Sequence, residues 1–242
     1  CILRRPDPQA VWDTPKTHPL WEKADAVYHR SRSGGGRWEI KNLPGDLSVS
    51  YGELRFNIKP TGFKHTGLFP EQAVNWDWED ALIANAERPV RVLNLFAYTG
   101  GATAACAAAG AQVVHVDAAR NVVAWARRNA ELSGLAAAPI RWIAEDALKF
   151  VRRELTRGEH YDAVILDPPS YGHGVRGEAW RLAKHLPQLL KLCGQLTAGR
   201  RQFILLTCHT PEFGPSRLKA MLAEALENSG GGKVSAATVL QG

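Results

Sequence analysis

The chain has 242 residues, 45% of them hydrophobic and 22% charged, which is enough for one substantial core and too ordered in composition for a disordered tail. No apolar run reaches the roughly 18 residues needed to cross a bilayer, and the opening CILRRPDPQAVWD lacks the apolar stretch of a secretory leader, so the expected compartment is the cytoplasm and no membrane partner is expected. The net charge of +6 suits a polyanionic partner.

Four scattered cysteines, Cys1, Cys106, Cys193 and Cys208, show neither metal-ligand pairing nor the density of a disulfide scaffold, which argues for a reducing compartment and against a zinc site. The chain begins at Cys1 rather than Met, as a piece of a longer protein would. Residues 1–80 read as a small β-rich extension: Trp12, Trp21, Trp38, Trp76 and Trp78, with alternating runs such as LSVSYGELRFNIKP, are set among Pro and Gly turns. Within it, HRSRSGGGR reads as a basic loop, either a solvated turn or a phosphate contact.

From Pro89 the pattern becomes strand, turn, helix, repeated. The apolar runs VRVLNLF, AQVVHVD, PIRWIAED, YDAVILD and RQFILLT alternate with helix-like segments, the signature of a mostly parallel sheet covered on both faces. Right-handed crossovers then give a doubly wound α/β, Rossmann-like domain over residues 81–242. Gly110 and Gly134 suit helix C-terminal caps, PSRLKAMLAEALENSG reads as an amphipathic helix, and GGKVSAATVLQG as a possible sixth strand.

In open α/β sheets the ligand lies beyond the carboxyl ends of the strands, so the residues closing each apolar run carry the functional signal. The first run enters NLFAYTGG, whose Gly100 and Gly101 would let a ligand approach the backbone. The second ends at Asp117, about 20 residues beyond that turn, the position from which a carboxylate grips ribose hydroxyls. The turn lacks the G-x-G-x-x-G cradle of a pyrophosphate, which favours a phosphate-free nucleoside, S-adenosylmethionine, over a dinucleotide. Asp146 ends the third run, where it could meet an adenine amine, cap the helix EDALKFVRREL, or do both. Asp167 ends the fourth and is followed by Pro168 and Pro169, which stiffen a rim of hydrogen-bond acceptors suited to a base edge. Gly172, Gly174 and Gly177 suggest a mobile flap beyond it, with Arg176, Arg181 and Lys184 available for phosphates.

Taken in order, KHTGLFPEQ, VLNLFAYTGG, VHVD, EDALKF and DPPSYG resemble the Rossmann-like S-adenosylmethionine-dependent methyltransferases of the large-subunit ribosomal RNA cytosine-carbon-5 and guanine-nitrogen-7 group, over roughly Tyr51 to Leu206. The resemblance implies a donor site lined by Asn94, Phe96, Ala97, Tyr98, Thr99, Gly100, Asp117, Ala118, Glu145, Asp146, Ala147, Asp167 and Pro168, with Lys64, Phe69 and Gln72 folding over it. It implies an RNA substrate held by Pro169, Tyr171 and Arg176. The sequence departs from the family where Ala73 follows the Gln of KHTGLFPEQ, a position often held by Arg, and the RNA-binding module that many members carry ahead of the catalytic domain is not evident in these residues.

The acceptor atom turns on Cys208. Cytosine carbon 5 becomes nucleophilic only after a thiolate adds to carbon 6, and Cys208 in LLTCHTPEF stands where a cysteine does so in the cytosine-specific enzymes. The competing reading is a packed core cysteine, which would leave direct transfer to a base nitrogen. Cys106 and Cys193 read as packing residues, and His209 as either a local polar residue or the base that removes the carbon 5 proton. Two other readings are a non-catalytic RNA-binding module and a dehydrogenase.

Overall fold

The computed structural model describes residues 1–5, 18–31, 35–62, 65–173 and 179–237. Trp12, Lys64, Gly174, Arg176, Gly177 and the middle of the basic loop lie outside them. Contacts divide the chain into two units, Cys1–Leu68 and Phe69–Gly242. The first holds β1 (Leu3–Arg4), parallel to β2 (Ala26–Arg30), which pairs antiparallel with β3 (Gly36–Ile40), and a separate hairpin of β4 (Ser48–Tyr51) and β5 (Leu54–Asn57). The alternating sequence accounts for the second hairpin: Leu54 and Phe56 are buried while Arg55 between them is exposed.

The second unit opens with α1 (Ala73–Ala84). There follow β6 (Arg91–Leu95), α2 (Gly101–Ala108), β7 (Gln112–Asp117), α3 (Arg120–Leu132), β8 (Ile140–Ala144), α4 (Ala147–Thr156), β9 (Ala163–Leu166), β10 (Tyr171–His173), β11 (Ala179–Arg181), α5 (Leu182–Leu196), β12 (Phe203–Leu206) and α6 (Pro215–Leu226). The five apolar runs form one parallel sheet in the order β12-β9-β6-β7-β8. The helices after β6 and β7 end where expected, with Gly110 at φ 94° and Gly134 at φ 74°, a left-handed conformation that glycine adopts without a Cβ penalty.

Side-chain alternation assigns each strand residue to a face. Leu93, Leu95, Val114, Val116, Val164 and Leu166 pack with Phe150 and Val151 of α4 and Leu186, Leu189 and Leu190 of α5. Val92, Val113, Ala163 and Ile165 point the other way, toward Ile83 of α1 and Cys106 and Ala107 of α2. Truncating one of the fully buried leucines costs about 2–5 kcal/mol, because the site collapses only partly.

One expectation is corrected. Trp76 and Trp78 lie on a helix rather than in small strands, and α1 belongs with the sheet domain, so the units divide at Leu68 and not near residue 80. The physical reason is close packing: a Cβ on Gly101 would come within 2.5 Å of Trp76 Cζ2, so α1 rests directly on the start of α2. Gly172 lies in the antiparallel pair β10–β11. The tail expected as a sixth strand has no strand over residues 231–237, and the rest of it lies outside the described residues. Among those residues no helix is long and apolar enough to cross a membrane.

Candidate active site

The chain runs outward from β6 to β7 and β8, then returns with β9 on the other flank of β6. That reversal leaves a crevice between the turns after β6 and after β9. The first turn is strained. Phe96 (φ 55°) and Tyr98 (φ 46°) are non-glycine residues in the left-handed region, at a cost of about 1–3 kcal/mol each.

The surroundings impose this shape. Ala97 N donates to Val116 O (3.1 Å) and Gly100 N to Ala97 O (3.0 Å). Tyr98 N donates to Asp117 Oδ2 (3.0 Å), and Asn129 Nδ2 to the carbonyl of buried Thr99 (2.9 Å). The Tyr98 ring lies 5.6 Å from Phe69 and 6.5 Å from Trp125, and Phe96 lies 4.9 Å from Trp180. Gly100, at φ 85°, would bring a Cβ within 3.1 Å of Ala126 Cβ. Its immediate structural need, like that of Gly101, is therefore close helix packing.

Asp117 closes β7 with both carboxylate oxygens on backbone donors, Oδ2 on Tyr98 N and Oδ1 on Ala119 N (2.9 Å). Burial raises its pKa, against the pull of these two bonds. Ala119, not Asp117, is the N-cap residue of α3. Each oxygen keeps a lone pair for a further donor. Ala118, beside it, is half-buried.

Asp146 does cap α4, accepting from Lys149 N at 2.9 Å through Oδ1. Glu145 is clamped by Arg153 at 2.7 and 2.6 Å, and Ala147 is buried. Gln72 Oε1 accepts from Asn75 Nδ2 (2.8 Å).

Asn94 differs from its expected place. It is 3% exposed and shares the face of Val92, turned toward α2, where Nδ2 donates to Thr103 Oγ1 (2.9 Å). Thr103 Oγ1 lies 2.9 Å from His115 Nδ1, and the His115 ring packs 4.9 Å from Trp142. Burial pushes the His115 pKa down to about 3. Asn94 is thus tied to α2 from inside the fold.

At the second turn Asp167 is half-buried and Pro168 buried, while Pro169 and Ser170 are exposed and Tyr171 is 52% exposed. The Pro169 carbonyl accepts from Trp180 Nε1 (2.7 Å), and the Ser170 carbonyl from Leu182 N (3.0 Å). Two of the rim's acceptors are therefore committed within the fold.

Register brings in the last expected residue. Leu206 of β12 pairs with Leu166 of β9, and Thr207 N continues the ladder to Leu166 O at 2.9 Å. Asp167 and Cys208 thus leave the ends of adjacent strands. Ser170 Oγ and Thr210 Oγ1, 2.6 Å apart, join the two segments, and His209 Nε2 stands 3.7 Å from Asp167 Oδ1. Cys208 is half-buried and packs against the larger core cluster.

Cys106 and Cys193 are fully buried. Burial pushes both thiols up, consistent with packing. Cys106 donates to Glu79 Oε2 at 3.5 Å, and burial raises the Glu79 pKa to about 8.

Sequence reading missed Trp180, Thr103, His115 and Glu79. Alternation could have found His115, since it shares the face of Val113 on a continuous strand. Nothing local marks the others.

A family model described as S-adenosylmethionine-dependent methyltransferase matches residues 26–224. The chain belongs to this family. The methyltransferase is 40% identical to a SAM-dependent methyltransferase from Agrobacterium tumefaciens of known crystal structure, with a TM-score of 0.87 over 93% of this chain and 72% of that one. A structure from Streptococcus mutans, 19% identical with a TM-score of 0.68 over 86% of this chain and 53% of that one, shares the fold.

Among curated relatives, the ribosomal RNA large subunit methyltransferase K/L of Shewanella baltica is 32% identical over 133 residues, 54% of this chain. The match spans 18% of that relative's length. The family is S-adenosylmethionine-dependent, and the residues present suit that methyl donor. The strained turn, the Asp117 lone pairs and the acids at successive strand ends offer acceptors for hydroxyls and an amine.

Proposed function

We propose that the methyltransferase acts on RNA, with ribosomal RNA as its class of substrate and cytosine carbon 5 as the acceptor atom. The observation that supports this reading is the pairing of β9 with β12, whose strands end together at Leu166 and Leu206, just before Asp167 and Cys208, with Ser170 and Thr210 latching the segments. The names of the curated relatives support ribosomal RNA, and the positive net charge suits a polyanion.

In this reading Asp117 accepts from the ribose hydroxyls of the donor and Asp146, through its second oxygen, from the adenine amine. Phe96, Ala97, Tyr98, Thr99, Gly100, Ala118, Ala147 and Pro168 shape the pocket, with Phe69 and Gln72 closing it. Glu145 contributes only through its hold on Arg153. Pro169, Tyr171 and Arg176 receive the base and its backbone, the exposed Tyr171 ring offering a stacking face.

The Cys208 thiolate adds to carbon 6 of the cytosine, and the ring's electron pair shifts toward carbon 5. Asp167 accepts from the exocyclic amine and orients the ring. Carbon 5 takes the electrophilic methyl group that bound S-adenosylmethionine would supply, the methyl–sulfonium bond breaking as the new carbon–carbon bond forms. His209, adjacent to Asp167, or a water then removes the carbon 5 proton; those electrons restore the ring double bond and expel the Cys208 thiolate.

The test is RNA carrying 5-fluorocytosine, which has no carbon 5 proton to lose. The expected result is a covalent protein–RNA adduct that disappears in Cys208→Ser, together with loss of methylation of ordinary RNA by at least about 10³-fold. The packing of Cys208 against the core favours a second reading, direct transfer to a base nitrogen, and full methylation by Cys208→Ser would establish that reading instead.

A further inference from the structure

The turn after β6 and the lip after β9 belong to different loops, yet one side chain touches both. Trp180, at the centre of β11, is buried. Its ring packs 4.9 Å from Phe96 of the strained turn, and its Nε1–H donates to the Pro169 carbonyl at 2.7 Å. On its far side it lies 5.4 Å from His185 of α5, whose Nδ1 lies 2.9 Å from Arg181 N. The indole is therefore fixed on several sides: by Phe96, by the lip, by the β10–β11 pairing of Gly172 with Trp180, and by the first turn of α5.

A proline lip cannot use its own amides to anchor itself, because neither Pro168 nor Pro169 has an N–H. The Pro169 carbonyl must be held from outside, and Trp180 supplies that hold. Methyl transfer depends on aligning donor and acceptor closely, and displacements of about 1 Å cost roughly 100-fold.

We propose that Trp180 is a positioning residue that sets the spacing between the donor turn and the acceptor lip. The ring determines where the lip stands relative to Phe96, and the indole N–H holds the lip at that distance. The inference rests on the reading that Asp167, Pro169 and Tyr171 receive the substrate base. It assigns Trp180 no contact with donor or acceptor.

Trp180→Phe tests it, keeping an aromatic ring against Phe96 while removing the N–H. Three readouts are needed on the full chain: calorimetric binding of S-adenosylmethionine, steady-state methylation of ribosomal RNA, and amide hydrogen exchange at Ser170, Tyr171 and Gly172 compared with Val164–Leu166.

The expected result is donor affinity within about twofold of wild type, kcat lowered about tenfold with the donor KM unchanged, and exchange at the lip about tenfold faster while the sheet amides stay unaffected. Trp180→Ala, which also removes the ring, is expected to weaken donor binding as well. Unchanged exchange at the lip in Trp180→Phe overturns the inference, as does a fall in kcat matched by equal losses in donor affinity and thermal stability, the mark of general destabilisation. Wild-type protein inactive on RNA overturns the substrate reading instead, and the lip amides then decide the role of Trp180 by themselves.

Discussion

The two edges of the parallel sheet treat the same chemical group in opposite ways. At the amino-terminal edge Asp162 is fully buried and saturated: Arg200 reaches it at 2.7 and 3.2 Å, Arg91 N donates at 2.7 Å, and Arg88 pairs with it as well. Burial pushes its pKa up, but these partners outweigh it and leave the carboxyl below its ordinary value. Nearby, Arg91 also pairs with Glu159 at 2.6 Å.

At the carboxyl-terminal edge, Asp117 and Asp146 are met by backbone N–H groups, and Asp167 by a neighbouring histidine at 3.7 Å. Of the acids there, Glu145 is the one clamped by an arginine. Acids compensated by cations hold a fold together, whereas acids left with spare lone pairs can serve a ligand. Residue type alone does not separate the two roles; the partners do.

The largest expected departure from this contrast comes from a carboxyl on neither edge. Glu79 is buried on α1 with Cys106 as its donor and one oxygen without a partner, and its pKa rises from 4.5 to about 8. Below pH 4.5 both folded and unfolded states hold the proton, and the contribution to stability is fully present. It is lost as pH climbs from there through 8, by roughly 4–5 kcal/mol at full extent. Urea unfolding of Glu79→Gln is expected to show a much flatter dependence than wild type across pH 5 to 8.5. Parallel curves would mean that the native carboxyl is ionised.

A smaller effect is expected from Asp117→Ala, which removes a charged acceptor: S-adenosylmethionine affinity measured by calorimetry should fall about 10- to 100-fold. Asp162→Asn gives the opposite pattern. Stability should drop by about 2 kcal/mol, moderated because Arg88 and Arg200 can turn to solvent, while donor affinity is unchanged. If Asp162→Asn impaired donor binding as strongly as Asp117→Ala, the division of labour between the edges would fail.

Much of this arrangement was legible in the sequence. Strands covered on both faces read as unbroken apolar runs, and all five were found, with the acids that close β7, β8 and β9 and the glycine caps after α2 and α3. The rest was hidden for specific reasons. α1 buries Trp76, Glu79 and Ile83 while exposing Val74, Trp78 and Leu82, so no clean apolar stripe announced a helix. The β10–β11 pair is glycine-containing at one end and short, and resembled a flap. The resemblance implies Asn94 for the donor site, whereas the alternation of β6 places its side chain on the face of Val92, bonded to Thr103. Trp180 acquires its role from Phe96 and Pro169, residues far away along the chain, and no local pattern encodes such a meeting.

The chain of Asn94, Thr103 and His115 carries polar groups into the core without a charge. The Asn94 amide donates to Thr103 Oγ1, which in turn lies 2.9 Å from Nδ1 of the fully buried His115. With its pKa pushed down to about 3 by burial, the imidazole stays uncharged in any ordinary buffer. The footing beneath the strained turn is therefore electrically silent, and acidification toward pH 5 leaves that footing unaltered.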